Sequence, residues 1–274
     1  MRVSAHVLAV NASATILRGL RSLLGVVDEV VLVDTGSGDG TPDLVAEFCS
    51  REGLGYDCVE LTPVSHSDLF LLDVPSTWSR LVPGPFTGLR VLRRFELARN
   101  LGLDRCTGDV VVKLDADDEV LDLEGLAKVC SFLAASPGVG KVKCPYEVVH
   151  ESASQAGVGR CEVGADGKLV EKVLYDRAWR NSPEVRFRQA IHEYLWVGDD
   201  LQEGLTNLGT TRDHRDLKGQ CRVPNRNYKV FLAEYERRLA AGEELDPVFL
   251  MSTMGEVQAL DPDLARECRA MASR

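Results

Sequence analysis

Asp115, Asp117, Asp118 and Glu119 crowd the end of an apolar run made by Val110, Val111, Val112 and Leu114. Carboxylates packed this closely repel one another unless cations or amide donors answer them. Oxygen donors at alternating positions suit a hard divalent ion, Mg2+ or Mn2+, that also holds a substrate phosphate. The plainer reading is an acidic turn that caps the helix after it. A second cluster lies upstream, where Asp34-Thr35-Gly36-Ser37-Gly38-Asp39-Gly40-Thr41-Pro42 follows the apolar segment from Glu29 to Val33. Here too the plain reading stands beside the functional one: the glycines meet the demand of a tight turn for positive φ, and Asp39 can brace it.

Both clusters need strands that end at them. Apolar runs without alternation predict strands buried on both faces, as in a parallel sheet covered by helices. Val3 to Val10 predicts the first strand. Ser13 then caps a helix whose Ile16, Leu17, Leu20, Leu23 and Leu24 fall at helical spacing and which Gly25 ends. Thr41 and Pro42 open a helix with Leu44, Val45 and Phe48 inward, closed by Gly53. A glycine-rich turn between strand and helix falls at the carboxyl edge of the sheet, where open α/β folds bind ligands. Pro63, Pro75, Pro83 and Pro85 interrupt residues 62–91, which read as a long binding loop or lid. Helices are expected over Leu92 to Leu103 and Asp122 to Ala135. Strands are expected over Val139 to Val149, Leu169 to Trp179 and Val185 to Phe187, with Ala156 to Gly167 as a hairpin-like excursion. From Asn225 onward the pattern is helical, with new starts at Pro247 and Pro262.

At 274 residues and 45% hydrophobic, the chain is long enough for one large α/β domain with an appendage. Its net charge of -10 argues against a broad nucleic-acid or anionic-membrane footprint. Eight cysteines without CxxC spacing read as reduced thiols of a cytosolic protein and argue against zinc. No leader pattern and no apolar run of membrane-spanning length is present, so a soluble, unprocessed, cytoplasmic protein is expected.

Asp34-Thr-Gly-Ser-Gly-Asp39-Gly-Thr, Ala98-Arg99-Asn100 and Leu114-Asp115-Ala116-Asp117, in that order, resemble the nucleotide-sugar half of the inverting family 2 glycosyltransferases, which have the GT-A fold. The likeness covers residues 1–120 apart from 62–91. Ile191-His192-Glu193, His214 and Arg226-Asn227 resemble the second-half signature of the small soluble members. The resemblance implies a mixed, mostly parallel sheet flanked by helices over 1–222 (nucleotide half 1–120, acceptor half 121–222) and a helical appendage over 223–274. It further implies that Asp34 reads a base, uracil or thymine; that Asn11, Gly36, Asp39, Arg99, Ala116 and Arg226 line the nucleotide sugar; and that Asp115 contacts the ribose or a metal-bound water. Asp117 is then the ligand of Mn2+ or Mg2+, with Asp115 and His214 completing the set. The QxxRW motif and membrane helices of the processive synthases are missing, so transfer of a single sugar from a UDP-sugar to an acceptor hydroxyl is the expectation.

An inverting transfer needs a base on the acceptor side, and Asp118, His192 and Glu193 are the candidates. Glu193 stands among Ile191, Tyr194, Leu195 and Trp196, an apolar setting that raises a carboxyl pKa, although pairing with Arg186 or Arg188 is its structural alternative. A sugar nucleotidylyltransferase would share the sheet and acidic site, but it expects a basic glycine-rich loop where Ala9-Val10-Asn11-Ala12 stands. A catalytically silent nucleotide-sugar binding module is the other alternative.

Overall fold

The computed structural model describes residues 1–62, 64–71, 91–150, 160–164, 168–190, 193–214 and 226–273. The chain begins with β1 (Val3–Ala9), α1 (Ile16–Arg21), β2 (Glu29–Asp34), α2 (Thr41–Glu52) and β3 (Gly55–Glu60), then the two-residue strands β4 (Phe70–Leu71) and β5 (Val91–Leu92). There follow α3 (Phe95–Leu103), β6 (Val110–Asp115), β7 (Asp118–Val120), α4 (Leu123–Ala135), β8 (Val139–His150), β9 (Arg160–Val163) and β10 (Leu169–Arg180). The last elements are β11 (Arg186–Arg188), β12 (Tyr194–Trp196), β13 (Gln202–Leu205), β14 (Thr211–Asp213), α5 (Arg226–Ala241), α6 (Pro247–Met251), α7 (Met254–Leu260) and α8 (Pro262–Ala272).

Contacts divide the chain into two units. The first comprises Met1–Leu61, Arg99–Arg186 and Leu195–Gln220, and the second Thr62–Ala98, Phe187–Tyr194 and Cys221–Arg274. The first is built on a mixed sheet of order β3-β2-β1-β6-β10-β8-β14-β7, with β13 added on β8 and β9 on β10. Strands β3, β2, β1 and β6 run parallel, and β10 reverses direction between β6 and β8. Alternation sorts the two faces. Val3, Ala5, Val7 and Ala9 of β1 join Val110, Val112 and Leu114 of β6 in one apolar layer with Ile16, Leu20, Phe48, Leu126 and Leu133. Ser4, His6, Val111 and Lys113 take the other face, with His6 paired to Lys113 across the ladder.

In the second unit α5 to α8 close on Tyr228, Phe231, Phe249, Val257 and Cys268, with Ala190 among them. Phe231 stacks on Phe249 with ring centroids 5.0 Å apart. Asp246 and Asp261 cap α6 and α8 by accepting from the amides of Phe249 and Leu264.

Several expectations need correction. Thr15, not Ser13, precedes α1, because the Ser13 amide donates to Asp39 instead. Gly40 is the N-cap residue of α2 and Thr41 lies inside the helix, its hydroxyl drawn to Asp39. The acidic strand end is not one loop: Asp118 begins β7, which pairs antiparallel with β14. The 222/223 boundary, residues 72–90 of the proline-rich segment and most of Ala156 to Gly167 lie outside the described residues. Among the described residues Cys49, Cys58, Cys106, Cys130, Cys144 and Cys268 are free thiols, and no helix is long and apolar enough to cross a membrane.

Candidate functional site

Strand β6 has both its flanking partners in the sheet, so its tail delivers Lys113 and Asp115 side by side onto the face opposite the main apolar layer. Asp115 accepts from Arg99 at 2.7 Å and lies 3.5 Å from the Lys113 ammonium. Lys113 is buried, donating to the Tyr175 hydroxyl at 3.0 Å and lying over its ring at 4.4 Å. Arg99 comes from α3, which sits against the sheet where Gly102 has no side chain: a Cβ there would stand 2.4 Å from Val33 and 2.6 Å from the His6 ring. His6 Nε2 lies 2.9 Å from the Arg99 carbonyl. Burial, aided by the Arg99 charge, lowers the His6 pKa to about 3, so the neutral ring donates an N–H to that carbonyl.

The turn after β6 closes on Asp118. Its Oδ2 accepts from the Asp115 amide at 3.1 Å and from Arg177 Nη1 at 2.9 Å, and its Oδ1 accepts from the Tyr146 hydroxyl at 2.9 Å. Burial drives the Asp118 pKa upward; Arg177 pulls against it, and Asp115 and Asp117 add to it. Register places Asp213 of β14 opposite Asp118 of β7. Asp117, Asp118 and Asp213, all buried, each offer an oxygen within 4.8 Å of the others. Three carboxylates at this separation are the donor set of a hard divalent cation, so the residues present fit Mg2+ or Mn2+. Asp117 is common to this set and the expected one. His214, whose amide donates to the Asp117 carbonyl at 3.1 Å, has its Nε2 2.8 Å from Glu119, and Asp115 meets Arg99 and Lys113.

At the same sheet edge β2 ends in Asp34. One of its oxygens accepts from the amides of Gly36 at 3.1 Å and Ser37 at 2.9 Å, and the other accepts from the Ser37 hydroxyl. Gly36 has φ of 97°, a conformation that favours glycine. Asn11, itself at φ of 48°, latches this loop: its amide donates to Ser37 Oγ and its side-chain oxygen accepts from the Gly38 amide, each at 2.8 Å. Asp39 accepts from Thr41 Oγ1 at 2.6 Å and from the Ser13 amide at 2.9 Å, which joins the two loops again. Burial alone would raise the Asp39 pKa, but these hydrogen bonds hold it at about 2. Asp34 pairs with Ala9 and Asp115 with Leu8, so β1 alone separates the two strands that carry them, whose backbones lie two strand spacings apart, about 10 Å, and alternation starts the two side chains on opposite faces of the sheet. Ala116 lies half-buried in the turn beyond Asp115.

Glu193 is half-buried in the second unit, just before β12. His192, Ile191 and the Arg226 side chain lie outside the described residues. The reading of the sequence did not single out Asp213, Arg177, Tyr146 or Lys113. One of them carried a signal, because Lys113 is a charge inside a strand that otherwise reads as buried, whereas Arg177 shares β10 with Glu171, Lys172 and Asp176 and does not stand out.

In fold the chain is similar to GT-A glycosyltransferases. No family model matches it. It is similar to Staphylococcus aureus TarS 1–349, with a TM-score of 0.46 and 13% identity over 99% of this chain and 88% of that one. It is also similar to the mannosyltransferase PcManGT of Pyrobaculum calidifontis, solved with GDP-Man and Mn2+, with a TM-score of 0.47 and 18% identity over 99% of this chain and 75% of that one. Glucosyl-3-phosphoglycerate synthase of Mycobacterium tuberculosis, solved with Mn2+, UDP and phosphoglyceric acid, gives a TM-score of 0.34 and 23% identity over 53% of this chain and 43% of that one. A TPR repeat-containing protein of Synechococcus elongatus is 26% identical over 263 residues, 90% of this chain; the chain spans half the length of that relative.

Proposed function

We propose that the protein is a divalent-metal-dependent glycosyltransferase that moves one sugar, with inversion, from a nucleoside diphosphate sugar, a UDP-sugar by preference, to an acceptor hydroxyl. The observation that carries this reading is the carboxylate set Asp117, Asp118 and Asp213 at the carboxyl end of β6, on the sheet edge that also bears Asp34 and its glycine-rich loop. Asp34 and Asp115 end the strands on either side of β1 at this edge, and in this reading Asp34 accepts from the base imide and Asp115 meets the ribose. Asp117 and Asp213 would hold Mn2+ or Mg2+, with Asp118 behind them. The ion, when bound, supplies Lewis acidity toward the departing diphosphate. Arg99 holds Asp115 in place, and the paired loops of Asn11 and Asp39 keep the base-side wall from moving.

The base is proposed to be Glu193. Asp118 is enclosed and already accepts three hydrogen bonds, a poor position from which to take a proton from an acceptor. Glu193→Gln should cut turnover by about two orders of magnitude or more while UDP affinity stays unchanged. Near-normal turnover would remove Glu193 from the role.

The test of the function is a panel of nucleotide sugars assayed for Mn2+-dependent donor hydrolysis, followed by mass spectrometry of candidate acceptors. Hydrolysis of one donor, abolished by chelation, is the expected result. Stabilisation by UDP and Mn2+ with no hydrolysis of any donor would make the protein a silent binding module and refute the transferase reading.

A further inference from the structure

Arg177 is fully buried in β10, and the expected site has no use for it. Its Nη1 donates to Asp118 at 2.9 Å and to the Lys113 carbonyl at 2.7 Å. The guanidinium lies 5.1 Å from the centroid of the Tyr146 ring and 5.9 Å from that of Tyr175. Tyr146 in turn donates to the other Asp118 oxygen, and the Asp115 amide closes the turn onto the first. Side chains from β8 and β10 and a backbone amide from β6 thus converge on one carboxylate of β7.

Two physical effects of Arg177 oppose each other. A cation this close to three carboxylates works against a divalent ion, so charge alone says that removing it tightens metal binding. Geometry says the reverse, because without Arg177 the turn loses the contact that ties Asp118 to the strands beside it. Groups that orient metal ligands from behind commonly change affinity about 10–100-fold when lost.

We propose that Arg177, together with Tyr146, is a positioning residue: by clasping Asp118 it holds the turn from Asp115 to Asp118 in a ligand-ready shape before any cation or nucleotide arrives. This rests on the reading of that turn as the divalent-cation site. It makes Asp117 and Asp213 the ligands proper and Asp118 their fixed support.

Two measurements test it, neither requiring turnover. The first is amide hydrogen exchange at Asp115 in metal-free protein, for the wild type, Tyr146→Phe, Arg177→Lys and Arg177→Met. The second is uptake of Mn2+ alone, followed by loss of the free-ion EPR signal, with melting temperature recorded alongside. Exchange at Asp115 should quicken and Mn2+ affinity fall about ten-fold in Arg177→Met, with Arg177→Lys restoring most of it and Tyr146→Phe showing a smaller loss. Mn2+ binding in Arg177→Met as tight as in the wild type, or tighter, overturns the proposal, as does a lowered melting temperature with unchanged affinity. If Arg177→Met does not fold, unchanged Asp115 exchange and unchanged Mn2+ affinity in Tyr146→Phe overturn it. Wild-type protein that takes up no Mn2+ instead refutes the cation-site reading on which the proposal stands, and so both together.

Discussion

Asp117→Ala should eliminate metal-linked UDP binding and lower donor hydrolysis by about three orders of magnitude, while the protein melts at or slightly above the wild-type temperature. Asp117 is buried beside Asp118 and Asp213, with an oxygen within 4.8 Å of each. Deleting one of three like charges relieves repulsion, and the small side chain lost lies in a turn and not in the apolar layer, so no large cavity follows. The loss of function comes from a different source, because the cation then has one fewer anionic ligand and the diphosphate loses its counter-charge. Calorimetry with UDP, with and without Mn2+, reads the two effects apart from stability. Unchanged Mn2+-linked affinity would falsify the metal assignment at Asp117.

The second large effect is expected at an uncharged residue beneath the acidic turn. Gly19 of α1 packs so closely under the acidic turn that an added Cβ would stand 2.5 Å from the Asp118 carbonyl oxygen and 2.8 Å from the Leu114 side chain. Helix propensity alone predicts that Gly19→Ala stabilises α1 by about 1 kcal/mol. The clash is with backbone, which cannot rotate away, and overpacking of this kind costs about 1–3 kcal/mol. Because the helix gain is already included in the measured sum, the net cost is up to about 2 kcal/mol, and at roughly 2–4 °C per kcal/mol for a chain of this size a net fall in melting temperature would report a displaced turn. Mn2+ affinity should fall with it, since β7 moves with Asp118. Wild-type stability and metal affinity in Gly19→Ala would show that α1 does not fix the turn.

Much of the nucleotide-side frame is legible in the sequence because parallel strands covered on both faces read as unbroken apolar runs. Strand β2 and most of β6 are of this kind, β1 is interrupted by Ser4 and His6, and the helix after Asp122 carries its own cap signal. What escapes the reading is short or exposed. Strand β3, Gly-Tyr-Asp-Cys-Val-Glu, lies half-buried at the sheet edge and shows no clean pattern. Strand β7 is three residues long and begins with two acids, so its charges mask its pairing. Asp213 joins the carboxylates only because β14 pairs with β7, a long-range event with no local signature. Lys113 is the instructive case: a charge inside a buried strand violates the apolar pattern, and here the violation marks a side chain that meets the site, whereas Arg177 is hidden among the other charges of β10.

The alternation along β6 has a consequence for how the protein reaches this structure at all. Val110, Val112 and Leu114 fill one layer while Lys113 and Asp115 meet charged and polar partners on the other. Were β6 to slip by a single residue against β1, the ammonium and the carboxylate would be driven into aliphatic packing and three apolar side chains would face Arg99 and Tyr175. Such a misaligned chain is penalised on both faces at once. The charges that serve the ligands thereby also proofread strand alignment during folding, so replacing Lys113 and Asp115 by aliphatic residues should leave a protein that is more apolar yet less certain of its own register.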